Sequence, residues 1–263
     1  QTIIILGSGT YRIGSSVEFD YCSVKCMQTL RELGYHTIMI NYNPETISTD
    51  FDESDKLYFE ELTFEKVADI YEKEQAYGVV VSMGGQEPNN IALKLHNYGI
   101  NVLGTSPLSI DKCEDRFKYS SLLDELGILQ PDWCTANNKT EIDAFIKKVG
   151  FPVIVRPSYV LSGAAMRIIY NNGELEQCLT DAVNISPDHP VVLTKFVDGA
   201  REVDLDAVCN NGELITYAIS EHVENAGVHS GDATLVLPAH TISKEMQQNL
   251  LEVGLRISHI LIN

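Results

Sequence analysis

A chain of 263 residues with 19 basic and 37 acidic side chains carries a formal net charge of −18. Such a field repels nucleic-acid backbones and anionic membrane, and no basic block interrupts it, so neither partner is expected; a small anionic substrate would need arginines, lysines or helix N-termini set against the global sign. The length is enough for two folded units, and six scattered cysteines in a chain that needs no staples point to reduced thiols and an intracellular setting.

No run of 18 apolar residues occurs, and the expectation is a protein without membrane span, signal or transit segment. Cys22 and Cys26 stand one helical turn apart, but no second pair or well-spaced histidine completes a tetrahedral set, so no metal ligands are assigned. The sequence ends on Ile260-Leu261-Ile262-Asn263 with no cap or polar tail after its last helical pattern, which reads as a piece of a longer polypeptide.

Four apolar, β-rich runs recur early: Thr2 to Leu6, Thr37 to Ile40, Gly78 to Val81 and Asn101 to Leu103. Between them, Ser23 to Leu33, Phe64 to Glu74 and Asn89 to Tyr98 have helical periodicity, the pattern of a parallel sheet covered by helices on both faces. The first run opens into GSGTYRIGSS, Gly7 to Ser16, which resembles the glycine turn of a dinucleotide site but brings its third glycine, Gly14, two positions late. A dinucleotide site also needs an acid at the end of the second strand, where this sequence has Asn41, Tyr42 and Asn43. The glycines therefore read first as devices for turning and packing.

A helical segment from Asp111 to Glu125 closes the first unit, and the composition changes near residue 125. The second unit, 126–263, has strand-like pieces at Pro152 to Arg156, Ala165 to Tyr170, Pro190 to Phe196, Glu202 to Cys209 and Glu213 to Ser220. Asn171-Asn172-Gly173 and Asn210-Asn211-Gly212 both read as hairpin turns, giving an α+β class.

Chemistry concentrates in this second unit. FPVIVRPSYVLSGAAM (151–166) ends a strand at Arg156 beside the small-residue loop Ser162, Gly163, Ala164 and Ala165, an arrangement suited to polyphosphate. Arg116 stands alone on its helix. Period two puts Glu202, Asp204 and Asp206 on one strand face, where they repel one another unless a cation or a hydroxyl-rich ligand compensates. His222, Glu224, His229 and Asp232 surround Gly227 and Gly231, which permit close backbone approach in the manner of a small anion cradle, with a histidine metal site as the rival.

GSGTYRIGSSVEFDYC, NYNPETISTDFDESDKLYFEEL, GTSPLSIDKCEDRF, FPVIVRPSYVLSGAAM and SEHVENAGVHSGDATLVLP together resemble the large chain of the carbamoyl-phosphate synthetase family, in particular the second of its duplicated synthetase halves in the eukaryotic form. The resemblance covers essentially the whole chain. It implies an α/β fold: a Rossmann-like, parallel-sheet pre-ATP-grasp domain that shapes the site without binding a dinucleotide, followed by an incomplete α+β ATP-grasp domain. By matched motif it implies catalytic roles for Arg116, Arg156 and His229. The two arginines would lie on ATP phosphates with Ser162, Gly163 and Ala164 closing over them, Thr194, Lys195 and Phe196 bordering adenine largely through main chain, Glu202 on the ribose, Gly227 among the nucleotide-binding residues, and His229 near the transferred phosphoryl group.

The implied reaction is ATP-dependent phosphorylation of carbamate to carbamoyl phosphate plus ADP. Magnesium would accompany the ATP, with ligands expected beyond the C-terminal end of this sequence, so the piece alone is expected to be inactive. Implied partners are the rest of the polypeptide (a first synthetase half and an allosteric domain) and a glutaminase domain or subunit, in the cytoplasm or the mitochondrial matrix. A biotin-carboxylase-like ATP-grasp enzyme and a non-catalytic structural or assembly module are the alternatives.

Overall fold

The computed structural model describes residues 1–9, 17–135, 139–157, 166–185, 191–228 and 233–261. Two contact-dense units divide between Asp111 and Lys112, earlier than the change of composition near residue 125. The helix before that change belongs by its contacts to the second unit.

In the first unit, strands β1 (Thr2–Leu6), β2 (His36–Asn41), β3 (Lys56–Phe59), β4 (Gly78–Val80) and β5 (Val102–Leu103) make a parallel sheet ordered β3-β2-β1-β4-β5. The order is that of a doubly wound sheet without its sixth strand. Strand β3 escapes the sequence pattern because Lys56-Leu57-Tyr58-Phe59 is an edge strand with no fully buried residue. Helix α1 (Val17–Glu32) begins earlier than the periodicity from Ser23 indicates.

Successive residues of β1 serve opposite cores, as period two requires. Ile4 and Leu6 pack with Val67 and Ile70 of α2 (Phe64–Glu74) and Leu95 of α3 (Gln86–Tyr98), while Ile3 and Ile5 meet Val24 and Met27 of α1. Ile4, Ile5, Ile38 and Ile40 have no solvent exposure, each contributing roughly 2 kcal/mol relative to an exposed position.

Tight packing, not a cofactor, explains the first glycine. A Cβ on Gly7 would come 2.4 Å from Cγ of the fully buried Asn41. Asn41 Oδ1 accepts from the Gly9 and Tyr42 N–H groups at 3.0 Å each, and its Nδ2 donates to Ser48 Oγ at 3.2 Å. Buried Asp20 in turn accepts from the N–H groups of Ile47 and Ser48, so α1 anchors the loop after β2. The rest of the glycine stretch, including Gly14, lies outside the described residues.

The helical segment from Asp111 to Glu125 is two helices, α4 (Pro107–Glu114) and α5 (Arg116–Glu125). Asp115 breaks them: its backbone is extended, and its carboxylate accepts from Lys118 N–H at 3.0 Å as the cap of α5.

Within the second unit, β6 (Trp133–Thr135), β7 (Val153–Pro157), β8 (Arg167–Ile169) and β9 (Val191–Lys195) form an antiparallel sheet ordered β6-β9-β7-β8. Val153, Val155, Ile169 and Leu193 face α6 (Lys139–Val149) and α7 (Asn172–Ile185), meeting Ile142, Phe145, Leu175 and Cys178. The alternate residues Ile154, Arg156, Val192 and Thr194 occupy the other face. Asn171-Asn172-Gly173 is not a hairpin turn, for α7 starts there: Asn171 Oδ1 accepts from Glu174 N–H at 3.0 Å, and the Glu174 carboxylate accepts from Tyr170 N–H.

A second sheet, β10 (Arg201–Asn210), β11 (Glu213–Asn225) and β12 (Leu235–Val236), is antiparallel in chain order. Its apolar face takes α8 (Lys244–Ile260) through Val203, Leu205, Ile219, Leu250 and Leu251.

Candidate functional site: an arginine pair beside a glycine approach

Strand alternation and the antiparallel register aim Arg156 away from the helices, onto the face that also carries Thr194. Its Nη2 donates to Thr194 Oγ1 at 2.9 Å, whereas its Nε is buried with no hydrogen-bond partner among the described residues. Burial, reinforced by the nearby charge of Arg116, pushes the Arg156 guanidinium down to about 10, so it remains a cation at neutral pH. Arg116, the first residue of α5, is also held below its ordinary value by burial, with Glu114 opposing the shift, and its Nη2 lies 3.5 Å from Met166 Sδ. Two partly desolvated guanidiniums that feel each other's charge, one with a donor unmet among the described residues, have the chemistry to take a multiply charged anion.

Gly227 borders the same sheet. With φ at +109° it holds a conformation that L side chains rarely adopt, and a Cβ there would meet Phe196 Cζ at 3.3 Å and Ile168 Cδ1 at 4.0 Å. The backbone after β11 thus comes down onto Phe196. The Phe196 N–H donates to Pro152 O at 3.1 Å and the Lys195 N–H to Asp132 O at 2.8 Å, so these two residues offer carbonyls and the Phe196 ring rather than N–H groups to a ligand. The Lys195 side chain turns to the Phe151 carbonyl, 2.9 Å away, and takes no part beside the arginines.

Glu202 belongs to a second group. His222, whose side chain is 1% exposed, contacts Asp204 Oδ2 through Nε2 at 2.9 Å, and one ligand-type atom from each of Glu202, Asp204 and His222 lies within 4.8 Å of the others. Asp204, with Glu202 and Glu224, raises the His222 pKa. When protonated, the His222 ring supplies the compensation that stacked carboxylates require. Sequence periodicity missed this grouping because a β-bulge between Val208 and Cys209 shifts the register by one residue, and such a slip exchanges the two faces of β11. Pairing counted out from the Asn211-Gly212 turn alone would have put His222 on the face of Val203.

Beside His222, Glu221 points to the other face. Its carboxylate accepts from the N–H groups of His240 and Thr241 at 3.0 Å each and from Thr241 Oγ1 at 2.5 Å. These bonds, the hydroxyl's first, draw its pKa down to about 2. His229, Ser162, Gly163 and Ala164 lie outside the described residues.

Residues 1–112 match the carbamoyl phosphate synthase preATP-grasp domain family, and residues 115–261 match the family described as carbamoyl-phosphate synthase L chain, ATP binding domain. The chain belongs to the carbamoyl-phosphate synthase large-chain family. The arginine-specific carbamoyl phosphate synthase large chain of Eremothecium gossypii is 59% identical over 97% of this chain. Multifunctional protein URA2 of Saccharomyces cerevisiae is 53% identical over 98%. This chain spans only 23% and 12% of those two relatives, respectively.

Solved structures carry the fold further. The biotin carboxylase domain of 2-oxoglutarate carboxylase from Hydrogenobacter thermophilus superposes with a TM-score of 0.75 at 17% identity, covering 99% of this chain and 58% of that one. D-alanine–D-alanine ligase from Bacillus anthracis gives 0.67 at 19% identity, over 99% and 79%. The carbamoyl-phosphate synthase segment therefore has the expected architecture, a parallel pre-ATP-grasp sheet followed by ATP-grasp elements.

Proposed function

We propose that the second unit binds the polyphosphate of ATP between Arg116 and Arg156, and that in the longer polypeptide this half phosphorylates carbamate to give carbamoyl phosphate and ADP. What carries the reading is the Arg156 guanidinium, partly buried near the charge of Arg116, with its buried Nε unpaired among the described residues. An unmet charged donor in a low-dielectric setting is costly, and a phosphate oxygen is the acceptor that removes the cost.

The chain's own residues would then act as positioners. Arg156, held by Thr194, would present a fixed fork to the phosphates, and Arg116 would add a second positive charge as negative charge develops on the transferred group. Phe196 with Ile168 and Gly227 would border the base, and Glu202 would accept from ribose hydroxyls. Ser162, Gly163 and Ala164 would cover the phosphates, with His229 beside the phosphoryl acceptor.

Magnesium supplies charge neutralisation when it accompanies ATP. The arginine pair offers donors only and does not fit a metal, which takes oxygen ligands, so the ion would be held by other groups. The remainder of the polypeptide and a source of ammonia, a glutaminase domain or subunit, complete the proposed assembly. Relatives named for arginine-specific and for multifunctional proteins, two of the former described as mitochondrial, support either the cytoplasm or the mitochondrion as its place.

Calorimetry tests the reading. Saturable MgATP binding that Arg156→Ala abolishes, with NADH giving no heat, is the expected result. NADH binding, or ATP binding indifferent to Arg156, would overturn it.

A further inference from the structure

Helix α5 brings Arg116 to the site, yet it buries only one of its ten residues, Leu122. A helix with so little apolar anchorage is not fixed in direction by the core. Polar ties do that work. Asp124 Oδ2 accepts from Trp133 Nε1 at 3.0 Å, and its Oδ1 accepts from Gln130 Nε2 at 2.7 Å, which also donates to Ser120 O at 2.7 Å. The Phe117 ring meets the Trp133 ring edge to face, centroids 5.8 Å apart at 73°. At the far end Arg256 Nη2 donates to the Leu126 carbonyl.

Trp133 is therefore grasped by α5 at both Phe117 and Asp124. It stands on β6 directly opposite Thr194 of β9, the residue that accepts from Arg156. A continuous path of contacts runs from Arg116 along α5, through Trp133 and Thr194, to Arg156. We infer that Trp133 and Asp124 are a positioning pair that sets Arg116 against Arg156, and so governs how tightly the site takes a polyphosphate. Neither residue would touch the ligand. The inference rests on the phosphate-binding reading above.

The test uses the 263-residue chain labelled with ¹⁵N-arginine, with Trp133→Phe, which keeps a ring but loses the donor, and Asp124→Asn, which keeps one acceptor. Ile142→Val on α6 serves as a purely structural control. The first readout needs no ligand: the Nε–Hε resonances of Arg116 and Arg156 are expected to move in both variants and to stay in place in the control at matched loss of stability. The second is MgATP affinity, expected to fall about tenfold in both variants, the scale of one hydrogen bond to a charged group, with inorganic tripolyphosphate following the same order.

Unmoved arginine resonances in Trp133→Phe and Asp124→Asn would overturn the inference, as would shifts equal to those of the control. If the parent chain binds no MgATP, the phosphate reading fails, and the ligand-free resonances still decide whether the pair positions Arg116.

Discussion

Arg156 and Thr194 are joined by a 2.9 Å hydrogen bond across neighbouring strands, on the sheet face opposite the helices. Among the described residues the Arg156 Nε is buried and has no partner. Thr194→Val keeps the shape and removes the acceptor, so a second guanidinium donor loses its partner. The expected loss in stability is about 2 kcal/mol, read by urea unfolding. MgATP affinity should fall as well, because the fork is no longer held; unchanged affinity would show that Thr194 does not orient Arg156.

Gly227 is tested differently. Its φ of +109° strains any L residue, and an added Cβ would press within 3.3 Å of Phe196 Cζ. Gly227→Ala is expected to destabilise the fold by about 1 kcal/mol or more and to displace the Phe196 ring. Thermal unfolding measures the first effect, and weakened adenosine binding at constant tripolyphosphate binding would separate the base wall from the arginines.

Glu221 gives the second unit an acid dependence of known sign. Its folded pKa of about 2 lies below the ordinary 4.5, so its contribution is complete above pH 4.5 and fades as pH falls toward 2. Glu221→Gln should lower the unfolding midpoint at pH 7, and the gap from the parent should narrow below pH 4. A gap that stays constant down to pH 3 would mean the three bonds from His240 and Thr241 do not favour the ionised form.

His222 runs the other way. Asp204 raises its pKa above the ordinary 6.5, so the pair stabilises the fold below that value and the contribution is lost as pH rises through the folded pKa. In Asp204→Asn the imidazole resonance of His222 should titrate at lower pH. An unaltered midpoint would assign the shift to Glu202 or Glu224 instead.

What the sequence reveals follows what is local. Ile3-Ile4-Ile5-Leu6 and Ile38-Met39-Ile40 announce a strand buried on both faces, and Arg156 at the end of VIVR announces a cation at a strand end. Edge strand β3 has no such signature. The joining of His222 to Glu202 and Asp204 depends on one bulge at Val208, and a register shift of one residue leaves no mark in a pattern of period two. Helix α5 could be read, but not its break at Asp115, whose carboxylate caps the new helix between Glu114 and Arg116.

The pentapeptide Asn-Asn-Gly-Glu-Leu occurs twice, at 171–175 and 210–214, and folds in two ways. In the first copy Asn171 and Glu174 cap α7; in the second, Asn211 and Gly212 turn the β10–β11 hairpin with φ of 48° and 81°. The residues that follow decide it. Glu176-Gln177-Cys178-Leu179 favours helix and brings Leu175 and Cys178 onto the core one turn apart, whereas Ile215-Thr216-Tyr217 favours strand, with Thr216 and Tyr217 paired to β10. Asn171→Ala should then cost about 1 kcal/mol through the lost cap, and Asn171→Asp should be tolerated because aspartate caps as well. At Asn211 the order reverses with glycine: Asn211→Gly should be neutral or stabilising and Asn211→Ala destabilising, since only the left-handed backbone matters there. Equal responses to alanine and glycine at position 211, measured by chemical unfolding, would contradict the hairpin's dependence on its positive φ.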